Sequence, residues 1–424
     1  MNPQEPEPLR IRQIRIDGLF GLYNHCINLN LKERVTILHG PNGVGKTITL
    51  RMVDALLERT PDIFFQVPFR LFSIEFTDGT SVRLSRPSLD RFEEVFYYRF
   101  TDGNGIQEKP DDMYATEGPP SASAKPPKSI PVKLFDITAE KPIKNNENLG
   151  FSHETFWQNK INAHLIGINR LFNVPFKQPD GSIVLNQNIY STIKTYANDL
   201  IDKIKSTLAI YGQKSQTLDQ SFPQRLLTTS LLNDAGLKDR MARLDTQRQE
   251  LREIGLLDEA ATPIFEPSSL DELITKEKKF VTIYVQDTEQ KLSVLDNLAR
   301  RIKLFLDNIN HKFKNKHLRI DRDKGFVVTN DLGQNLDLES LSSGEQHEIV
   351  LHYGLLFRIE PNTLVLIDEP DIHLHVSWQD HFLPDLLKIV EIAQFDVLIA
   401  THSPYIVGDY IELMVSLDTG TESV

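Results

Sequence analysis

Hydrophobic and polar residues change their period several times along this chain, and each change predicts an element. In "RIRQIRIDGLFGLYNHCINLNLKERVTILHG", residues 10–40, Ile27, Leu29 and Leu31 alternate with polar neighbours, and residues 35–38 form a short, mostly apolar run with Thr36 inside it. Alternation at period two and short apolar runs predict strands. The following "PNGVGKTITLRMVDALLER" turns helical. Phe72, Ile74 and Phe76 then alternate, Asp78-Gly79 supplies a turn, and Val82 and Leu84 resume the alternation, which predicts a hairpin.

From about residue 101 to 150 the chain reads "EGPPSASAKPPKSIP" and "KPIKNNENLG", rich in Pro, Ser, Asn and Lys. Such a stretch has little apolar surface to bury and predicts a loop or flexible insertion. Helical spacing follows. Ile189, Ile193, Tyr196, Leu200, Ile204 and Leu208 step by three and four, as do Leu292, Leu295, Ala299 and Ile302, with the very polar "KDRMARLDTQRQELREIG" between them. These stretches predict an antiparallel pair of helices projecting from the body, too short for a long coiled-coil arm. After Lys324 the pattern returns to strand–helix–strand: "GFVVTN", a helix after Gly344, "TLVLIDE", a helix near residues 378–390, and "DVLIATHSP". No internal repeat is visible.

Composition narrows the class. With 424 residues, 40% hydrophobic and 25% charged, the chain can bury a sizeable core and has the balance of a soluble globular protein. Lys and Arg number 47 against 59 Asp and Glu, a formal charge of −12, so nucleic acid would have to be met by a local patch. The opening "MNPQEPEPLRIRQ" lacks the apolar core of a signal peptide, and no apolar run approaches the ~20 residues of a bilayer span. The single cysteine, Cys26, excludes an intrachain disulfide and fits a reducing compartment. The expectation is a cytoplasmic protein with no membrane partner.

Three strand ends carry chemistry. "GPNGVGKT", residues 40–47 (Gly40, Pro41, Asn42, Gly43, Val44, Gly45, Lys46, Thr47), has the G-x-x-x-x-G-K-[ST] spacing of a phosphate loop, placed after a strand and before a helix as phosphate binding requires. Glycines let backbone N–H groups turn around phosphates, the helix N-terminus adds partial positive charge, Lys46 adds a point charge, and the Thr47 hydroxyl can bind Mg²⁺. The plainer alternative is a glycine-rich turn without ligand. "TLVLIDEP" reads as a buried strand delivering Asp368 and Glu369 to its carboxyl end, where Asp368 can hold Mg²⁺ and Glu369 can activate water. Alone, it could equally be a strand ending in two solvated acids. "VLIATHSP" delivers Thr401 and His402 to the same edge, where His402 can bond a γ-phosphate or the attacking water.

With those parts in order, the segment 341–345, "LSSGE", resembles the LSGGQ/LSGGE signature of ABC-type ATPases. Gly344 precedes Asp368 by 24 residues and Asp368 precedes His402 by 34, both usual for that family. The resemblance covers roughly residues 10–100 and 325–415. It implies an α/β fold: an ABC-type phosphate-loop ATPase head with a mixed sheet flanked by helices, an antiparallel N-terminal part, and a large, mainly helical insertion. The layout expected is 1–100 for the first part of the head, 101–150 for a flexible linker, 151–324 for the helical insertion and 325–424 for the rest of the head. The 293 residues between Thr47 and Leu341 exceed a transporter cassette and resemble the branch holding SMC, RecF, RecN and the ATPase halves of OLD-type nucleases. "LSSGEQHEIVLHYGLLF" and "IDEPDIHLHVSWQ" are similar in particular to the PtuA-type ATPase subunits of Septu anti-phage systems.

What the resemblance implies is a homodimer of heads, possibly a higher oligomer, that sandwiches ATP and Mg²⁺. Ser342, Ser343, Gly344 and Glu345 of one subunit would cap the γ-phosphate held by residues 40–47 of the other. Thr47 and Asp368 would hold the metal, and Glu369 and His402 would be catalytic. The same Ser342 start is also an ordinary helix N-cap, and both readings can hold together. The implied role is a switch controlling a separately encoded nuclease, HNH-type if Septu-like. The alternatives are a repair or recombination ATPase that binds DNA itself, and a scaffold with structural ATP. Direct DNA or RNA contact would fall to residues 300–324, nine Lys/Arg (300, 301, 303, 312, 314, 316, 319, 322, 324) against three Asp. Ser343 and Val376 stand where many relatives have glycine and proline. Gln66 is a weak candidate for a glutamine loop, and His373 and His375 fit the loop after Asp368 better than a metal site.

Overall fold

The computed structural model describes residues 9–57, 62–85, 95–101, 133–136, 163–167, 176–177, 183–184, 189–228, 234–258, 275–372 and 376–417. They fall into two compact units, the first drawn from 1–168, 360–390 and 394–424, the second from 169–359 and 391–393.

The first unit holds two sheets. One runs β2–β1–β4–β5–β6–β7, from β1 (Ile11–Leu19), β2 (Tyr23–Asn28), β4 (Leu71–Phe76), β5 (Ser81–Ser85), β6 (Val95–Thr101) and β7 (Lys133–Asp136); every pair is antiparallel except β6–β7. The predicted hairpin is β4–β5: Phe72, Ile74 and Phe76 are fully buried, and Thr80 bonds back to the Asp78 carboxylate across the turn at Gly79, φ +83°. The second sheet runs β16–β3–β15–β14–β8 and is wholly parallel, from β3 (Val35–His39), β8 (Ala163–Gly167), β14 (Leu364–Asp368), β15 (Asp396–Ala400) and β16 (Met414–Ser416). Strands covered on both faces need continuous apolar runs, which Leu364, Val365, Leu366 and Ile367 supply, all buried. Helices α1 (Lys46–Leu57), α2 (Asp62–Gln66), α8 (Val376–Ala393) and α9 (Pro404–Val407) complete the elements of this fold. Arg10 ties β1 to the start of β15 through its Nε, 2.8 Å from the Asp396 carboxylate.

The second unit is mainly helical: α3 (Ile189–Thr228), α4 (Asp234–Glu253), α5 (Thr275–Leu292), α6 (Asp296–Lys312) and α7 (Ser343–Tyr353), with a small sheet β11 (Lys316–Asp321), β12 (Gly325–Asn330) and β13 (Asn335–Leu336), and a separate pair β9 (Phe176–Lys177) and β10 (Ile183–Val184). Its core is aromatic. Tyr353 stacks on Phe357 with centroids 4.7 Å apart, lies 4.8 Å from Tyr196, and meets Phe326 edge-on. The Tyr353 hydroxyl donates to Asp199 at 2.6 Å, and burial raises its pKa well above the ordinary tyrosine range.

Two expectations change here. The helices after residue 189 are not all short: α3 is 40 residues, about 60 Å at 1.5 Å per residue. Its outer half is polar in pattern and is held by partners on α5, Arg225 pairing with Asp287 and Lys291 with Asp219. The stretch 151–324, expected to be mainly helical, also supplies β8, which joins the parallel sheet of the first unit beside β14. The boundary expected at 325 does not divide the two units: residues 325–359 belong with the helices, where α7 packs on α3 and α6. Of the expected linker 101–150, only residues 101 and 133–136 are described, and they lie in strands.

A buried ion pair anchors α7. Lys312 Nζ lies 2.7 Å from Glu348 Oε2, with both side chains 2% exposed or less, and His352 joins the pair at 3.3 Å. Removing one partner from such a pair strands a buried charge, whereas replacing both with apolar residues is close to neutral. We expect Lys312→Met to lower the stability of this unit by about 3–5 kcal/mol in urea melts, and Lys312→Met with Glu348→Leu to recover most of it.

Candidate nucleotide-binding site

The carboxyl ends of β3, β14 and β15 lie side by side in the parallel sheet, and each leads into one candidate segment. After β3 the chain enters residues 40–45 and then α1, where Lys46 and Thr47 begin the helix. Gly43 and Gly45 have φ +82° and +102°, a backbone that favours glycine. Gly45 has a second reason to lack a side chain: a Cβ there would sit 2.4 Å from Leu19 Cδ2. Lys46 is 5% exposed, and its ammonium donates to the Gly40 and Pro41 carbonyls at 2.8 and 3.1 Å. Burial lowers its pKa, and the nearby Glu369 and Asp368 oppose that shift.

Thr47 and Asp368 come together across 321 residues of sequence. The Thr47 hydroxyl donates to Asp368 Oδ1 at 2.9 Å, placing two hard oxygen donors side by side at the start of α1 and the end of β14. That donor set suits Mg²⁺, which takes one or two protein oxygens and completes its shell with phosphate and water. Among the described residues, no group of three or more His, Cys, Asp or Glu is placed to hold a metal ion by itself. Glu369 follows with φ +47°, a left-handed backbone costing about 1–2 kcal/mol outside glycine, and its N–H donates to Ala400 O at 2.7 Å. That bond joins the end of β14 to the end of β15.

His402, beyond β15, is half-buried and reaches Lys46: Nζ and Nδ1 are 3.3 Å apart. An ammonium can only donate, so Nδ1 accepts and the neutral ring carries its proton on Nε2. Burial lowers the His402 pKa first and the Lys46 charge lowers it further, against Glu369 and Asp371. Thr401 is fully buried and donates to Asp371 Oδ1 at 2.8 Å, while Gln379 donates to the Asp371 carbonyl at 3.0 Å and accepts from Ser403 Oγ at 3.1 Å. Asp371, Gln379 and Ser403 are site-supporting residues that the sequence pattern missed.

The signature segment lies in the second unit. Ser342 is the N-cap of α7 and forms a full capping box: its Oγ accepts from Glu345 N at 3.3 Å, and Glu345 Oε2 accepts from Ser342 N at 2.8 Å. Lys316 Nζ holds the same carboxylate at 2.9 Å, and these partners pull the Glu345 pKa below its ordinary value against the opposing effect of burial. Ser342 and Ser343 are exposed, Gly344 half-buried, and the apolar run from Ile349 onward is buried. The basic segment 300–324 is largely engaged within the chain: Lys312 with Glu348, Lys316 with Glu345, Lys303 with Glu250, Arg322 with Asp258, and Arg301 with the Leu356 carbonyl. Arg300, Lys314, Arg319 and Lys324 remain exposed. Gln66 is exposed at the end of α2, and His373 and His375 lie outside the described residues.

A histidine whose folded pKa is depressed below the ordinary ~6.5 stays neutral at pH 7 and weakens the fold only as pH falls below that value. In an NMR titration we expect His402 to titrate below the ordinary range, and Lys46→Gln to move its midpoint upward. A midpoint unmoved by Lys46→Gln would mean the two groups do not interact.

The chain is 32% identical over 101 residues to the Retron Ec83 probable ATPase of Escherichia coli, a match covering 21% of this chain and 18% of that protein. Similar solved structures include the Smc head domain with an extended coiled coil bound to the C-terminal domain of ScpA from Pyrococcus furiosus (12% identity, TM-score 0.36, 97% of this chain and 95% of that one). The SMC head domain from Thermotoga maritima is another (11% identity, TM-score 0.34, 96% and 94%). The family model for the AAA ATPase domain matches residues 10–407, nearly the whole length, and the chain belongs to that family.

Proposed function

We propose that this chain hydrolyses ATP as a switch, with two copies facing each other across two nucleotides. The observation that carries the reading is the convergence of Lys46, the Thr47–Asp368 pair, Glu369 and His402 on one carboxyl edge of the parallel sheet. In such sheets that edge is where ligands bind. The Lys46 ammonium and the N–H groups of residues 40–47 bind the polyphosphate. Thr47 and Asp368 hold Mg²⁺, which when bound neutralises charge on the β- and γ-phosphates. Glu369 orients the attacking water and takes its proton, and neutral His402 bonds the γ-phosphate or that water through its Nε2 proton. Ser342 and the amides at the start of α7 complete the site of the second copy, for which their exposure and capping geometry suit them.

The switch, on this reading, governs a partner in a cytoplasmic anti-phage complex, with a separately encoded nuclease as the effector. The likeness of residues 341–357 and 367–379 to Septu-type ATPase subunits supports it, as does the partial match to a retron's ATPase. Direct binding of DNA through 300–324 is disfavoured by the number of its basic groups already paired within the chain.

Glu369→Gln should keep ATP binding and lower phosphate release by about 10²–10⁴-fold, with the ATP-bound protein sedimenting as a dimer. Hydrolysis by this variant at the wild-type rate would remove Glu369 from its role. Ser342→Arg should leave ATP binding intact and reduce turnover to below about a tenth of wild type, because the arginine blocks an anion site that acts only in the paired state.

A further inference from the structure

A phosphate loop works only while its peptide N–H groups face the anion and its carbonyls face away. In this chain the Val44–Gly45 peptide is one that glycine leaves free to turn. Gly45, at φ +102°, has no Cβ to restrict it, so the peptide could rotate at little conformational cost, withdrawing an N–H and presenting a carbonyl to the phosphates.

The β1–β2 hairpin grips this peptide from two sides. Leu19 fills the space where a Gly45 side chain would be, 2.4 Å from the ideal Cβ position, and Phe20 follows at 3.7 Å. On the other side, His25 Nε2 lies 2.8 Å from the Val44 carbonyl oxygen. His25 is 2% exposed, Val44 is 1% exposed, and Tyr23 stacks on the imidazole with an interplanar angle of 12°. A carbonyl can only accept, so Nε2 carries the proton in this contact. His25 comes from β2, in a sheet separate from the one that carries residues 40–47.

We propose that His25 is a positioning residue for nucleotide phosphates: its Nε2–H locks the Val44–Gly45 peptide with the carbonyl on the β2 side and the Gly45 N–H available to the anion. The inference rests on the reading of residues 40–47 as the ATP site. Without this donor the buried Val44 carbonyl would be unsatisfied, and the peptide would turn to recover a partner before ATP could bind.

The test is calorimetric titration of the full chain with ATP and Mg²⁺, comparing wild type, His25→Leu and His25→Gln, with thermal midpoints measured without nucleotide. We expect His25→Leu to weaken ATP binding by about 10-fold, the loss of one buried hydrogen bond. His25→Gln, whose side-chain amide reaches about as far as Nε2, should recover most of that affinity, although both variants lose the imidazole's stacking on Tyr23. If His25→Leu binds ATP as wild type does, or if Leu and Gln weaken binding equally, the lock is wrong and His25 is a packing residue. Should His25→Leu fail to fold, His25→Asn takes its place, since its shorter amide stops short of the carbonyl; equal affinities for Asn and Gln would overturn the proposal. Wild type that binds no ATP, and is thus indistinguishable from Lys46→Ala, would instead refute the nucleotide reading itself.

Discussion

The buried ammonium of Lys46 is the charge about which the first unit's edge is arranged. Desolvating a lysine is costly, and here the cost is met by two backbone carbonyls, by the imidazole of His402, and by the field of Asp368 and Glu369. In a chain with a formal charge of −12, a polyphosphate can be held only where local groups overrule the global field. One poorly solvated cation at the start of α1 does this better than a patch of hydrated surface lysines. Burial lowers the His402 pKa first and the same cation lowers it further, so both favour a neutral imidazole beside Lys46.

The fold's part is to bring distant residues to one line. Parallel strands present all their carboxyl ends at one edge, so β3, β14 and β15 deliver residues 40–47, 368–369 and 401–402 together although more than 350 positions separate the first from the last. Short bonds then fix the spacing: Thr47 to Asp368, Glu369 N–H to Ala400, and Thr401 to Asp371. The strained backbone of Glu369 is held by the second of these. Strain of this kind persists only where the surrounding structure over-determines it.

How much of this could be read beforehand divides along a physical line. The segments at residues 40–47, 368–369 and 401–402 stood out in the sequence because phosphate-loop chemistry demands fixed residue types at fixed local spacing, and the structure brings them to one sheet edge. The hairpin β4–β5 was legible because Phe72, Ile74 and Phe76 face one core at period two. The length of α3 was not, since beyond Leu208 its stability comes from pairs on α5 rather than from its own pattern. Strand β8 was hidden because "AHLIG" is short and shows no clear alternation, and only pairing with β14 identifies it. The supporting set of Asp371, Gln379 and Ser403 was equally hidden, because its hydrogen bonds join residues up to 30 positions apart with no spacing rule to betray them. At Ser342 both readings of the sequence coexist: the capping box is present, and the helix start that it forms is exposed.

The central claim is that an ATP site is completed by a second copy of the chain. Mixing Lys46→Ala protein, which lacks a working phosphate loop, with Ser342→Arg protein, which lacks a working signature, tests this most directly. A mixed dimer contains one intact site, made of the phosphate loop of one partner and the α7 N-terminus of the other. Phosphate release that appears on mixing, from two proteins each silent alone, is the result this account predicts. A mixture as silent as its components, or a Ser342→Arg protein that turns over ATP unaided, would contradict it.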